Sequence, residues 1–342
     1  MAIPPKHTLA DIRVLIADND HQMATVLSHL LKRMGFTKVL HARNGKEAIG
    51  FIIKQAIDIV ITDWQMPHTD GIELTRFIRS DESPNRSLPI IMLTARAEKN
   101  DVEASRDAGI TEFLVKPYTS KTLFNRIQQL VDNPREFVIA PGFVGPTRRR
   151  RVEASAAAKN RRTITPKVVT STVGISLSDG VPKILSPDFV LKKRIGIKES
   201  LSTIITTAVL DEAQKAIDTL KDESLGWIKE DLKAVESFYS QLKTYPNIGI
   251  VETLKSLLLS IKSRAGTFGY KNASDAAQIV YRFMRNDFMV GNDQHMVVLL
   301  KNIQALKVLL GNSAQGKDEA EGKMLLQGLQ AMAAKFQQSQ GQ

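Results

Sequence analysis

Cysteine is absent from all 342 residues. Disulfides, thiolate metal sites and cysteine nucleophiles are therefore excluded, which fits a reducing compartment. Long hydrophobic runs are absent as well. None approaches the roughly 20 apolar residues that a membrane helix needs, and the opening Met-Ala-Ile-Pro-Pro-Lys-His lacks the apolar core of a signal peptide. These two absences lead to the expectation of a cytoplasmic chain with no membrane span. Histidines at metal-ligand spacing are missing too; His21, His29, His41 and His68 are scattered and read as solvated side chains. Charge excess is scarce outside one stretch. Of the formal net charge of +11, the residues from Arg135 to Ser200 carry a net +9, from 14 Lys/Arg against 5 Asp/Glu. The basicity belongs to that segment, and the rest is close to neutral.

What is present begins with Ile57-Asp-Ile-Val-Ile-Thr-Asp-Trp-Gln-Met-Pro-His-Thr-Asp-Gly71. Its β-branched run is apolar on both faces, as a buried parallel strand is, and it ends in a single carboxylate, Asp63. Met66-Pro67 and Asp70-Gly71 then force a turn before an amphipathic segment. The same alternation recurs on either side. Ile12–Ala17, Thr37–Ala42, Pro89–Thr94 and Thr111–Val115 read as strands. Gln22–Met34, Gly45–Lys54, Ile72–Ser80, Lys99–Ala108 and Ser120–Val131 read as helices. Five strands alternating with five helices predict an α/β fold with a doubly wound parallel sheet.

Four polar residues fall at strand ends: Asp18, Asp63, Thr94 and Lys116. In a parallel sheet those ends share one edge. The set suits phosphoryl transfer to a carboxylate. Asp63 is the expected nucleophile, forming an acyl phosphate. Asp18, helped by Asn19 and the backbone carbonyl of Gln65, is expected to hold Mg²⁺ together with Asp63, since Mg²⁺ favours one or two carboxylates plus phosphate oxygens. Lys116 would pair with phosphoryl oxygens and Thr94 would donate a hydrogen bond to one. A lone strand-end aspartate is more often a helix cap; the register of four distinguishes this one. Asp20 reads as a cap of the first helix.

Val14-Leu-Ile-Ala-Asp-Asn19, Asp63 to Gly71, Pro89-Ile-Ile-Met-Leu-Thr94 and Phe113-Leu-Val-Lys-Pro-Tyr118 agree in order and spacing with one known pattern. From about Asp11 to Val131 the chain resembles the receiver domain of two-component response regulators. The resemblance implies a flavodoxin-like sheet of order 2-1-3-4-5. It implies Asp63 as phospho-acceptor, Thr94 as switch hydroxyl, Lys116 as the conserved lysine, Phe113 as switch aromatic and Pro117 after a cis bond. One departure stands out. The family has two adjacent acids after the first strand, and here they are Asp18-Asn19, so weaker Mg²⁺ binding is expected.

Residues 133–195, rich in Pro, Gly, Ser and Arg, read as a basic flexible linker. Its Arg148–Arg151 run suits phosphates or acidic surfaces, but Phe137 and Phe143 are too few aromatics for a stacking platform. Residues 196–326 show helical spacing throughout. The apolar faces include Ile228, Leu232 and Val235; Leu254, Leu258 and Ile261; Ala273, Ala277 and Val280; and Val297, Leu300, Ile303 and Leu306. A helical bundle is expected there, followed by a fraying Gln-rich tail over 327–342, with residues 1–10 as an N-terminal tail. Around Leu258–Tyr270 the sequence faintly resembles a histidine-phosphotransfer domain. Ile261, Lys262 and Gly269 match its signature, Ser263 replaces a glycine, and Leu259 stands where the histidine belongs. That residue is expected on the bundle surface as an apolar docking spot.

The expected function is that of a response regulator in a two-component phosphorelay. It would take a phosphoryl group on Asp63 from a histidine kinase or phosphotransfer protein and signal to a downstream protein by contact. The chain is not expected to be an enzyme beyond Mg²⁺-assisted self-phosphorylation and dephosphorylation. A nucleic-acid-binding regulator using the basic linker is the alternative, disfavoured because no helix-turn-helix follows the first domain.

Overall fold

In the computed structural model the described residues are 8–95, 99–147, 167–169, 183–185, 189–314 and 324–329. They fall into two compact units that divide between Ala216 and Ile217, with Lys116–Tyr118 counted in the second.

The first unit contains strands β1 (Arg13–Ala17), β2 (Lys38–Ala42), β3 (Ile59–Asp63), β4 (Ile90–Thr94) and β5 (Glu112–Val115). All pair in parallel, in the order β2-β1-β3-β4-β5. Between and after them run α1 (His21–Arg33), α2 (Gly45–Lys54), α3 (Gly71–Arg79), α4 (Lys99–Ala108) and α5 (Ser120–Asp132). The expected five-stranded doubly wound sheet is present. Its core follows from the sequence pattern. Val14–Ala17, Ile59–Ile61 and Ile90–Leu93 are buried on both sheet faces, as strands covered by helices must be. Helices start where short polar side chains cap them. Asp20 accepts from the Gln22 and Met23 N–H groups, Asn44 from Glu47, and Asp70 from Glu73.

Beyond α5, residues expected to form a linker without regular structure fold in part. β6 (Phe137–Ala140) and β7 (Phe143–Pro146) form an antiparallel hairpin, and β6 continues through β9 (Lys183–Leu185) to β8 (Lys167–Val169). The physical reason is local. Phe137 and Ile139 alternate inward and are buried, and Pro141-Gly142 supplies a tight turn with Gly142 at positive φ. The Arg148–Arg151 run lies outside the described residues.

This hairpin is tied to the amino edge of the parallel sheet by a buried arginine. Arg79, the last residue of α3, donates to the carbonyls of Gly109 at 2.9 Å and of Arg86 and Leu88 at 2.8 Å. Its guanidinium lies 5.1 Å from the centre of the Phe137 ring, a cation–π arrangement. Burial pulls its pKa down to about 9, so it stays charged at neutral pH.

The chain then returns to the same edge. In α6 (Val190–Ile195), Arg194 pairs with the buried carboxylate of Asp58, and Lys192 approaches Asp132 to 3.7 Å. Asp132 also accepts from the Ser200 hydroxyl at 2.6 Å and the Leu201 N–H at 3.1 Å. In α7 (Thr207–Asp218), Glu212 pairs with Arg33 and Gln214 accepts from the Ser120 N–H at 3.0 Å. Residues 189–216 therefore pack with the sheet-containing unit, whereas the sequence pattern groups those after 195 with the bundle. Leu191, Ile195, Leu201, Ile205 and Leu210 are buried, and two acids of the first domain fix the return.

The second unit is built from α8 (Lys221–Thr244), α9 (Ile248–Thr267), α10 (Lys271–Asn286) and α11 (Asp293–Ala314). Each helix packs on the next, and α11 closes back onto α8. Short connections between successive helices give a four-helix bundle. Residues 324–329, placed in part in the fraying tail, are helical, with Leu326 and Leu329 buried.

Two expectations are corrected here. Leu259 is buried, only 4% exposed, rather than a surface docking spot. The run Leu257-Leu258-Leu259 makes the apolar face of α9 wider than one stripe, and α9 packs against both α8 and α10. On α11 the buried row is His295, Leu299, Ile303, Leu306 and Leu310, while Val297 is 52% exposed and Leu300 is on the same outer side. His295 accepts the Met289 N–H at Nδ1, 2.8 Å away, and sits 6.1 Å from the Phe283 and Phe288 rings.

Burial pushes the His295 pKa below its ordinary value, partly opposed by Asp287. A base with a depressed folded pKa stabilises the fold above its unfolded pKa and loses that stabilisation as pH falls through the folded value. The bundle is therefore expected to lose stability as pH falls from about 7.5 to about 5. His295→Gln, which keeps an acceptor but does not titrate, should lose less over the same interval in parallel thermal melts.

Candidate functional site

The strand register assembles the site. Ala17 pairs with Thr62, Asp63 with Leu93, and Thr94 with Val115. Asp18 follows Ala17 and Lys116 follows Val115. Asp18 and Asp63 thus leave adjacent strands at one level, about 5 Å apart at the backbone, and Thr94 stands one residue further along its strand. All four sequence-predicted groups end at the carboxyl edge. Asp18, Thr94 and Lys116 are buried and Asp63 is partly so. The Lys116–Pro117 peptide bond is cis, as the resemblance implies.

Backbone bonds hold Asp18 and the main chain around Asp63. The Asp18 N–H donates to the Ala42 carbonyl at 3.1 Å, and its Oδ1 accepts the Asp20 N–H at 2.8 Å. Asp63 ends β3, and the buried Thr62 hydroxyl donates to its carbonyl at 2.9 Å. Trp64 N–H donates to Leu93 O at 3.0 Å, and Gly71 N–H to Trp64 O at 2.9 Å. The loop from Trp64 to Gly71 is therefore closed at both ends, with His68 in the left-handed region at φ +67°. Phe113 is partly buried and packs with Trp64 against Ile72, Met92, Ala108 and Ile110. Asn19 is exposed and Gln65 partly so.

The fit of this edge to Mg²⁺ rests on its donors. Two carboxylates, an amide oxygen and a backbone carbonyl form an all-oxygen set suited to a hard cation. Among the described residues no group of three or more His, Asp or Glu side chains stands ready to hold a metal.

A family model described as the response regulator receiver domain matches residues 14–128. The chain is 32% identical over 121 residues to the chemotaxis protein CheY of Pseudomonas aeruginosa, covering 97% of that protein and 35% of this one. It is 33% identical over 122 residues to CheY-3 of Vibrio cholerae, covering 93% of that protein and 36% of this one. The chain belongs to the response regulator receiver family. Among solved structures, the receiver is similar to CheY4 of Vibrio cholerae, at 30% identity and TM-score 0.33 over 34% of this chain and 97% of that one. These matches end with the receiver and leave the helical unit outside them.

Sequence reasoning missed one residue of this receiver. His41, read as solvated, is half-buried at the end of β2, and its Nε2 lies 2.9 Å from the Asp18 carbonyl. Its period-2 place in a strand beside β1 was the available signal.

Gly71 shows how tightly the acceptor is packed. A Cβ there would fall on the Asp63 carbonyl and lie 2.9 Å from the Met92 methyl. Gly71→Ala is expected to destabilise the receiver by about 1–3 kcal/mol, as overpacking does. The measurement is urea unfolding, with phosphoryl uptake assayed on the folded variant. Unchanged stability would show that the Asp63 backbone can move away.

Proposed function

We propose that the chain is a cytoplasmic phospho-accepting signalling protein. It takes a phosphoryl group on Asp63 from a histidine kinase or phosphotransfer protein and transmits that state by protein contacts. The observation that carries this reading is the arrival of Asp18, Asp63, Thr94 and Lys116 at one edge of a parallel sheet. That no described helix is long and apolar enough to cross a membrane is compatible with it.

The chemistry follows from the groups. A carboxylate oxygen of Asp63 attacks the phosphorus of a phosphohistidine. An O–P bond forms, the N–P bond breaks, and the imidazole leaves with the bonding pair and takes up a proton. Asp18, Asp63, the Asn19 amide oxygen and the Gln65 carbonyl would hold Mg²⁺, which when bound neutralises charge on the phosphoryl oxygens. Lys116 supplies a second positive charge and the Thr94 hydroxyl a hydrogen bond. Phe113, packed beside Trp64, is placed to report a shift of Thr94 to the β5 side of the receiver. The helical unit receives the signal by contact. In the faint resemblance to a phosphotransfer domain the histidine's place is taken by Leu259, and leucine cannot carry phosphate.

Incubation with a small phosphodonor and Mg²⁺ is expected to add one phosphoryl group, visible by intact mass, and Asp63→Asn should abolish it. Equal incorporation in the variant would end the assignment. Asn19→Asp restores a carboxylate and should tighten Mg²⁺ binding about ten-fold, of the order of one charge-assisted contact. Quenching of Trp64 fluorescence follows the titration, and unchanged affinity would place the missing charge elsewhere.

A further inference from the structure

We infer that His41 is a positioning residue for the cation site, holding the main chain of Asp18 through its imidazole N–H. This rests on the reading in which Asp18 is a Mg²⁺ ligand.

The β1–β2 ladder runs from the Arg13–Lys38 pair to the Ala17–Ala42 pair. Asp18 makes one more bond, from its N–H to the Ala42 carbonyl at 3.1 Å. In a parallel ladder a residue's N–H and C=O point to the same neighbour, so the Asp18 carbonyl would next accept from residue 44. The chain has turned away by then, because Asn44 is the N-cap of α2. The place of that next donor at the Asp18 carbonyl falls beyond the regular ladder.

His41 Nε2 takes that place at 2.9 Å. A carbonyl only accepts, so the imidazole carries its hydrogen on Nε2 in this arrangement. The first residue of α1, His21, braces the ring, with centroids 5.5 Å apart and planes tilted by 31°. Asp18 is then fixed at its N–H by Ala42, at its C=O by His41 and at Oδ1 by the Asp20 N–H. The Asp20 N–H holds the carboxylate directly, and the other two bonds fix the main chain that carries it. The need is greater here because Asn19 contributes no charge, leaving two carboxylates to attract a divalent cation. Affinity then depends on where those two are held.

The test uses the full chain in a Trp227→Phe background, so that Trp64 alone reports Mg²⁺ addition at a fixed pH. His41→Met and His41→Gln have similar length, and only Gln can donate an N–H. His41→Met should weaken Mg²⁺ binding about ten-fold, the low end for a group that orients a ligand. His41→Gln should stay close to wild type. Melts establish that both variants are folded, and His41→Ala replaces the Met variant if it is not. A donor-less variant that binds Mg²⁺ like wild type overturns the inference, and so do Met and Gln variants weakened equally. Phosphoryl uptake on Asp63 is measured separately. Uptake with His41-independent Mg²⁺ affinity removes the positioning role and leaves the functional reading standing. His41-dependent Mg²⁺ binding without uptake does the reverse, and a wild type that does not bind Mg²⁺ removes both.

Discussion

Parallel strands connected by crossover helices must all run in one direction, so every strand in such a sheet delivers its last residue to the same edge. In this chain that constraint fixes the chemistry of the first unit. β3 and β4 end in Asp63 and Thr94, and β1 and β5 lead directly into Asp18 and Lys116, although these residues are far apart in sequence. The buried apolar rows Val14–Ala17, Ile59–Ile61 and Ile90–Leu93 hold the strands in register. A one-residue slip of β3 would carry Asp63 out of line with Asp18 and reverse which side chains face each helix layer. Core packing and site geometry are therefore one requirement here.

The opposite edge of the same sheet is closed by charge. Arg79 is buried, yet its donors meet three carbonyls and its face meets Phe137. An ion removed from water is tolerable when its hydrogen-bonding capacity is filled in this way. Glu112, buried at the start of β5, is matched by Arg126 and Arg135, and Asp58 by Arg194. The two edges differ in purpose. At the carboxyl edge strand register gathers the site residues, and at the amino edge Asp58, Glu112 and Arg79 are held by ion pairs or carbonyls.

The alternation of β-branched runs with amphipathic segments made the receiver sheet legible, because apolar strand rows and helix caps are local signals. Asp63 was legible for the same reason: it ends an unmistakable strand. Residues 133–216 were less so. The packing of residues 189–216 draws on Asp58 and Asp132, which are distant in sequence and look like ordinary surface acids until Arg194, Ser200 and Leu201 reach them. On α11, Val297-Val298-Leu299-Leu300 is apolar at every position, so periodicity alone does not choose the inner face. The choice falls to His295, a polar residue that hydropathy counts outward and the structure places inward beside Phe283 and Phe288. His41 escaped notice because its period-2 place in β2, the one signal for it, does not show that the ring meets the Asp18 carbonyl.

The pairing of Asp58 and Asp132 with the returning chain also determines where this protein tolerates exchange of its parts. A chimera that keeps residues 1–132 and grafts a foreign output module directly after α5 would take the cation and hydroxyl partners away from Asp58 and Asp132. A junction beyond Ala216 keeps both acids matched, so the transplantable cassette is the receiver together with its α6–α7 collar.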